Sequence, residues 1–200
     1  MKQQRPLAIV NGKVVRPDGI ASGGVRCVDG AIVDIGDIGA QDGDHVLDVR
    51  GKLIAPGIVD FGVFAIDKPA FHFGGITRAA VMPDQNPPLD YPSRIRLVAQ
   101  SGKPDLWVHP LAAATRGLEG RELAEIALMQ AAGARGIATG RQWIGDSGMM
   151  LRLLQYAAMR DMVIVSHAED GGLTASAVAT AGDMATRLGL PAAPAQAEAL

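Results

Sequence analysis

Leu53-Ile-Ala-Pro-Gly-Ile-Val-Asp-Phe-Gly-Val63 is apolar almost throughout, and its reading decides the fold. A strand with apolar side chains on both sides is covered on both faces, as in a parallel sheet flanked by helices. The stretch therefore reads as one nearly continuous buried strand, and the grammar of the chain changes there. Upstream lie only short β-rich runs: Leu7–Val10, Val14-Val15, Val25–Val28, Ile32–Ile35 and Val46–Val49. Asn11-Gly12 and Asp29-Gly30 between them are hairpin-turn signals. No helical period appears, so residues 1–53 predict a small β-meander with no chemistry of its own.

Downstream, strands alternate with helical patterns. Ile76–Met82 is a second apolar strand, ending in Pro83-Asp84-Gln85-Asn86-Pro87-Pro88, whose prolines demand a loop. Asp105–Ala113 is a third. Arg121–Ala132 predicts a helix with Leu123, Ile126, Ala127 and Gln130 on one face and Gly133 just past its end. Gly136–Thr139 is a fourth strand. Asp146 or Ser147 caps a helix whose inner side is Leu151, Leu154 and Ala158. Met162–Ser166 is a fifth strand, followed by an Ala-rich helix over Leu173–Leu188 that stops at Gly189, and a new helix entered at Ala197–Leu200. This order leaves a (β/α) barrel or an open doubly wound sheet. No G-x-G-x-x-G follows a strand, so nothing supports a dinucleotide site. Polar clusters instead follow the strands' C-terminal ends, where a barrel keeps its chemistry: Asp84 and Asn86, Thr115, and His167 with Glu169 and Asp170. About five strands are present where a closed barrel has eight, so residues 54–200 read as the first part of a barrel, cut short.

Composition narrows the partners. The chain is 48% hydrophobic and 20% charged with a net charge of -2, which is ordinary globular composition and asks for neither nucleic acid nor membrane. The basic start Met1–Arg5 precedes too short an apolar run for a secretory signal. One cysteine, Cys27, excludes an internal disulfide and a Cys-rich zinc site and fits the cytoplasm. A metal would need His and carboxylates, and there are four His.

Four motifs in order carry a family resemblance. Leu53-Ile-Ala-Pro-Gly-Ile-Val-Asp60 resembles the strand-one signature of dihydroorotases and related cyclic amidohydrolases. Met82-Pro-Asp-Gln-Asn-Pro-Pro88 resembles their Met-Pro-Asn-Thr-x-Pro-Pro loop, Ala112–Gly120 their third-strand loop, and Val165-Ser-His-Ala-Glu-Asp170 their His-Cys-Glu-Asp motif. Arg187–Glu198 is similar to them in flavour. The resemblance implies the N-terminal half of a (β/α)8 TIM-type barrel beside a small β-sandwich. It also implies reversible closure of carbamoyl aspartate to dihydroorotate in pyrimidine biosynthesis, with zinc activating water and polarising the ring carbonyl.

The motif positions themselves depart from that chemistry. Where the resemblance places a His-x-His, this chain has Gly62 and Phe64; its substrate-gripping Arg falls on Ile66, and its metal-bridging acid or lysine near Thr139-Gly140-Arg141. Asp84 and Asn86 hold substrate-binding positions by motif, Asp84 where the resemblance has an Asn for the substrate carboxylate. His167 alone stands at a metal-ligand position, so zinc, though implied by the resemblance, is not expected to bind here. His45, His72 and His109 read as surface or loop residues. Asp67–Gly75, nine residues with a Pro and two Gly, are too few for the family's long first crossover helix. The four Phe (Phe61, Phe64, Phe71 and Phe73) fill the vacated space or patch an exposed edge. Two functions follow: a catalytically silent relative that serves as a structural partner of aspartate carbamoyltransferase, with homo-oligomerisation open, or an active metal-dependent cyclic amidohydrolase acting on dihydroorotate, a hydantoin or allantoin.

Overall fold

A computed structural model describes residues 5–198; Met1–Gln4 of the basic start and the end of the helix expected at Ala197–Leu200 lie outside them. The chain divides into two units, Met1–Gly57 and Ile58–Leu200.

In the first unit β1 (Leu7–Arg16) pairs antiparallel with β2 (Gly19–Val28), which pairs antiparallel with β3 (Ala31–Gly36). β4 (His45–Asp48) and β5 (Leu53–Ile54) both run parallel to β1, so the module is one five-stranded mixed sheet among the described residues. Asp29-Gly30 turns the β2–β3 hairpin, both residues at positive φ. Asn11-Gly12 does not make a hairpin. It is a bulge inside β1, with Asn11 at φ 57° and the pairing with β2 slipping between Ile9 and Gly12. The positive φ that asparagine tolerates is present, but it bends a strand instead of reversing it. A Cβ at Gly12 would stand 2.4 Å from Ile54 Cδ1, so the close approach of the Ile54 side chain favours glycine there. The deciding stretch is likewise two strands, because Ala55-Pro56-Gly57 interrupts it and hands Leu53-Ile54 to the first sheet.

The second unit begins with β6 (Ile58–Val63) and continues through α1 (Lys68–Phe73), β7 (Ile76–Val81), α2 (Pro92–Ser101) and β8 (Trp107–Ala113). It goes on through α3 (Ile126–Ala131), β9 (Gly136–Ala138), α4 (Ser147–Met159) and β10 (Ile164–Val165). The five strands lie side by side in chain order, every pair parallel. That is half of a (β/α) barrel. Side chains alternate between two cores. Val81, Val108, Ala112 and Ile137 face the helices and meet Ile95, Ile126, Met129 and Leu153. Ala80, Met82, Leu111 and Ala138 face the other way and pack together with Val165.

Several helices differ from their sequence patterns. Asp67–Gly75 does hold a helix, of six residues, because the Asp67 carboxylate accepts from the Ala70 N–H at 3.1 Å and Pro69 sits in the first turn. Pro92–Ser101, unassigned from sequence, is a helix with Ile95 fully buried. α3 starts only at Ile126, since Leu123 is drawn into a bridge with Thr115; Ile126 and Met129 are its buried residues. Asp146 caps α4 as expected, yet its buried side is Met149, Leu153 and Ala157, and Leu151 and Leu154 are 56% and 50% exposed. The expected helix over Leu173–Leu188 breaks into α5 (Gly171–Thr174), β11 (Ala179–Thr180) and α6 (Asp183–Leu188), because β11 pairs with β12 (Ala192–Ala193). Gly189, at φ 63°, ends α6. Among the described residues no helix is long and apolar enough to cross a membrane.

Candidate functional site

The C-terminal ends of the five parallel strands form the candidate site. β6 ends in a bulge: Phe61 pairs with Ala80 and Val63 with Val81, so Gly62 is the extra residue. Its φ of 117° suits glycine, and nothing lies within 4 Å of the place a Cβ would take. Phe64, just beyond, is held by its backbone. Its carbonyl accepts from Gln85 Nε2 at 2.9 Å, and the same amide donates to the Met82 carbonyl at 3.1 Å. The Arg141 guanidinium lies 4.0 Å from the centre of the Phe64 ring. Of the other phenylalanines, Phe71 packs on the helix-side core, whereas Phe61 and Phe73 are exposed.

After β7, Asp84 turns toward the loop that follows β9. Its Oδ1 accepts from the Arg141 N–H at 2.9 Å. Oδ2 is buried without a hydrogen-bond partner among the described residues. Gly140, at φ 77°, permits this approach, since a Cβ there would lie 3.0 Å from Asp84 Oδ1. Asn86 is exposed further along the loop, ahead of a cis bond to Pro87. Thr139 is 2% exposed; its hydroxyl oxygen accepts from the His167 N–H at 3.0 Å, and its own N–H donates to the Val165 carbonyl. The His167 ring, 42% exposed, places Nε2 3.1 Å from Glu169 Oε2. Asp170 caps α5 by accepting from the Gly172 N–H at 2.7 Å.

The mouth is therefore stitched by direct protein contacts from β6 to β7, β7 to β9 and β9 to β10. Those through Gln85 and Thr139 had no counterpart in the motif reading, although a hydroxyl residue closing a strand beside Gly140 is a signal of the kind that finds them. His109 is not on a loop. It sits half-buried within β8, its Nε2 3.2 Å from Arg78 Nη1, and burial followed by the charges of Arg78 and Arg135 holds its pKa below the usual histidine value. His45 is exposed at the start of β4, and His72 is exposed in α1, lining a cleft with Gly75, Thr77 and Asp105.

A zinc centre of the implied kind needs three or four protein donors. Gly62 and Phe64 offer none, the Thr139 oxygen is engaged, and Arg141 adds a positive charge. Among the described residues no three His, Cys, Asp or Glu side chains converge. The donor set of this chain does not fit that group.

The family model described as Dihydro-orotase-like matches residues 51–200. The chain belongs to the dihydro-orotase-like family. This dihydroorotase-like chain is 38% identical over 208 residues to the dihydroorotase of Pelotomaculum thermopropionicum, covering 96% of itself and 48% of that protein. It is 34% identical over 189 residues to the dihydroorotase of Ruminiclostridium cellulolyticum, covering 87% of itself and 44% of the relative. It thus spans about half the length of the curated relatives it matches, and it corresponds to their N-terminal half. Among solved structures it is similar to the L-hydantoinase (dihydropyrimidinase) of Arthrobacter aurescens, with a TM-score of 0.70 at 22% identity over 85% of this chain and 42% of that one. It is also similar to the N-acyl-D-glutamate deacylase of Bordetella bronchiseptica, solved with zinc and a phosphonate inhibitor, with a TM-score of 0.59 at 21% identity over 87% and 48%. At such identities the likeness shows the fold alone, a partial (β/α)8 barrel.

Proposed function

We propose that this dihydroorotase-like chain is catalytically silent and acts in the cytoplasm as a structural partner of aspartate carbamoyltransferase. One observation carries the silent reading. The two positions that follow the strand-one signature of the family hold Gly62, in a glycine-only backbone conformation, and Phe64, under the Arg141 guanidinium. Neither side chain has an electron pair to give a metal. The structural role is supported by α4, on which Leu151 and Leu154, three residues apart, are both at least half exposed. Exposed apolar patches of this kind are what a protein partner covers.

The test uses the full-length protein, co-expressed with the transferase and run by size exclusion at micromolar concentration. Co-elution, lost in a Leu151→Glu/Leu154→Glu variant, is the expected result; separate elution of the two proteins overturns the partnership, and a self-association peak transfers the patch to a homo-oligomer. The silent reading is tested separately by assaying dihydroorotate hydrolysis with added zinc. Turnover above background with stoichiometric metal would establish the second reading, an active cyclic amidohydrolase, which the retained His167–Glu169 pair favours.

A further inference from the structure

At the opposite end of the strands from the mouth, a group of positive charges faces a single aromatic ring. Arg78 near the start of β7 and Trp107 at the start of β8 are register partners. Both share the side of the sheet that carries Ala80, Met82 and Leu111, the inward face of the half-barrel. The Arg78 guanidinium lies 5.6 Å from the Trp107 ring centre, and the Lys103 ammonium lies 4.8 Å from the same centre. His109 stands two residues further along β8 and presents Nε2 to Arg78 Nη1 at 3.2 Å. Since guanidinium can only donate, that nitrogen accepts, and the imidazole beside Arg78 is neutral.

Asp105, two residues before Trp107, is paired elsewhere, 3.9 Å from Lys68 Nζ. Among the described residues neither Arg78 nor Lys103 has a carboxylate within salt-bridge distance, and neither does Arg135, whose N–H donates to the carbonyl of Pro110 next to His109. Two cations drawn to one indole, with an uncharged histidine as the only other polar partner, leave positive charge uncompensated on a concave face. Such clustering raises the local potential and favours an anion. A guanidinium presents paired N–H donors that fit the two oxygens of a carboxylate or phosphate, and an ammonium adds a third contact. The Trp107 ring, half exposed, supplies an apolar wall.

We propose that this floor of the half-barrel binds a small oxyanion, held by Arg78 and Lys103 against Trp107. The site is separate from the mouth and does not depend on whether the mouth is silent. The 200-residue sequence holds two tryptophans, Trp107 and Trp143, so a Trp143→Phe variant of this 200-residue chain reports from Trp107 alone. Inorganic phosphate and succinate are titrated separately, at constant ionic strength with chloride as the balancing anion; the stronger response distinguishes a phosphate ligand from a carboxylate one. The expected result is a saturable change in Trp107 emission. Arg78→Met, checked for unaltered thermal unfolding, is expected to weaken it about tenfold or more, and Arg78→Lys by less, because the charge stays while the fork is lost. Should Arg78→Met fail to fold, Lys103→Met carries the same test from a loop outside the sheet. An absent response up to about 20 mM of either anion, or an equal response in the charge-removing variant, overturns the site.

Discussion

The Thr139 hydroxyl and the His167 backbone N–H are 3.0 Å apart, and the hydroxyl oxygen is the acceptor. This bond extends the β9–β10 pairing one step past the last backbone link, from the Thr139 N–H to the Val165 carbonyl. It holds in register His167, the residue that the motif resemblance sets at a metal-ligand position. Thr139→Val keeps the shape and removes the acceptor, leaving the part-buried N–H without its partner. The expected loss is about 1–3 kcal/mol, read from the urea midpoint, and Thr139→Ser is expected to recover most of it. Equal stability of the valine and wild-type proteins would show that water replaces the bond.

Asp84 makes a second prediction. Oδ1 is used by the Arg141 N–H while Oδ2 is buried and unpartnered among the described residues. Asp84→Ala discards the useful oxygen and is expected to destabilise by about 1–3 kcal/mol in denaturant unfolding. Asp84→Asn keeps an acceptor for Arg141 and removes a charge that burial disfavours. It is expected to stay within about 1 kcal/mol of wild type or to exceed it. If the alanine and asparagine variants unfold together, the contact to Arg141 contributes nothing.

The order of the parallel strands was legible because largely apolar runs alternate with helical patterns along the chain. That Gly62 and Phe64 carry no electron-pair donor is read directly from the residues that follow the strand signature. What escaped is decided by packing. α4 carries Met149, Met150, Leu151, Leu153, Leu154, Ala157 and Ala158, apolar around most of its circumference, so its period does not single out the inward side. The break at Ala179-Thr180 follows from pairing with Ala192-Ala193, a contact no local pattern encodes. Asn11-Gly12 reads as a hairpin turn and is instead a bulge inside β1, which continues past it to pair with β5 from far along the chain. His109 looked peripheral because nothing local shows that Arg78 lies on the neighbouring strand.

His109 gives the pH prediction. Its folded pKa lies below the usual histidine value, chiefly through burial, then through Arg78 and Arg135. The unfolded chain therefore binds a proton at a higher pH than the folded one does. Stability is expected to be whole above about pH 6.5 and to fall as pH drops from there toward the depressed folded value. His109→Gln is expected to flatten that part of the Tm profile between pH 7.5 and 5. A profile with the same slope in both proteins would assign the acid loss to other groups.

Gly62 bears on whether this mouth can be made to hold a metal. Space is open around the place a Cβ would take, so an alanine methyl meets no atom there. The obstacle is the backbone, because φ is 117° in a bulge and residues with a Cβ avoid that region. Gly62→Ala is expected to lower stability by about 1–3 kcal/mol despite causing no clash. Restoring both imidazoles by Gly62→His and Phe64→His also displaces Arg141 from the ring it stacks on. The double variant is expected to unfold at lower denaturant than wild type and to gain no more than weak zinc affinity, measured by competition with a chromogenic chelator. Tight zinc binding with undiminished stability would mean that the bulge relaxes readily and that only side chains separate this mouth from a metal centre.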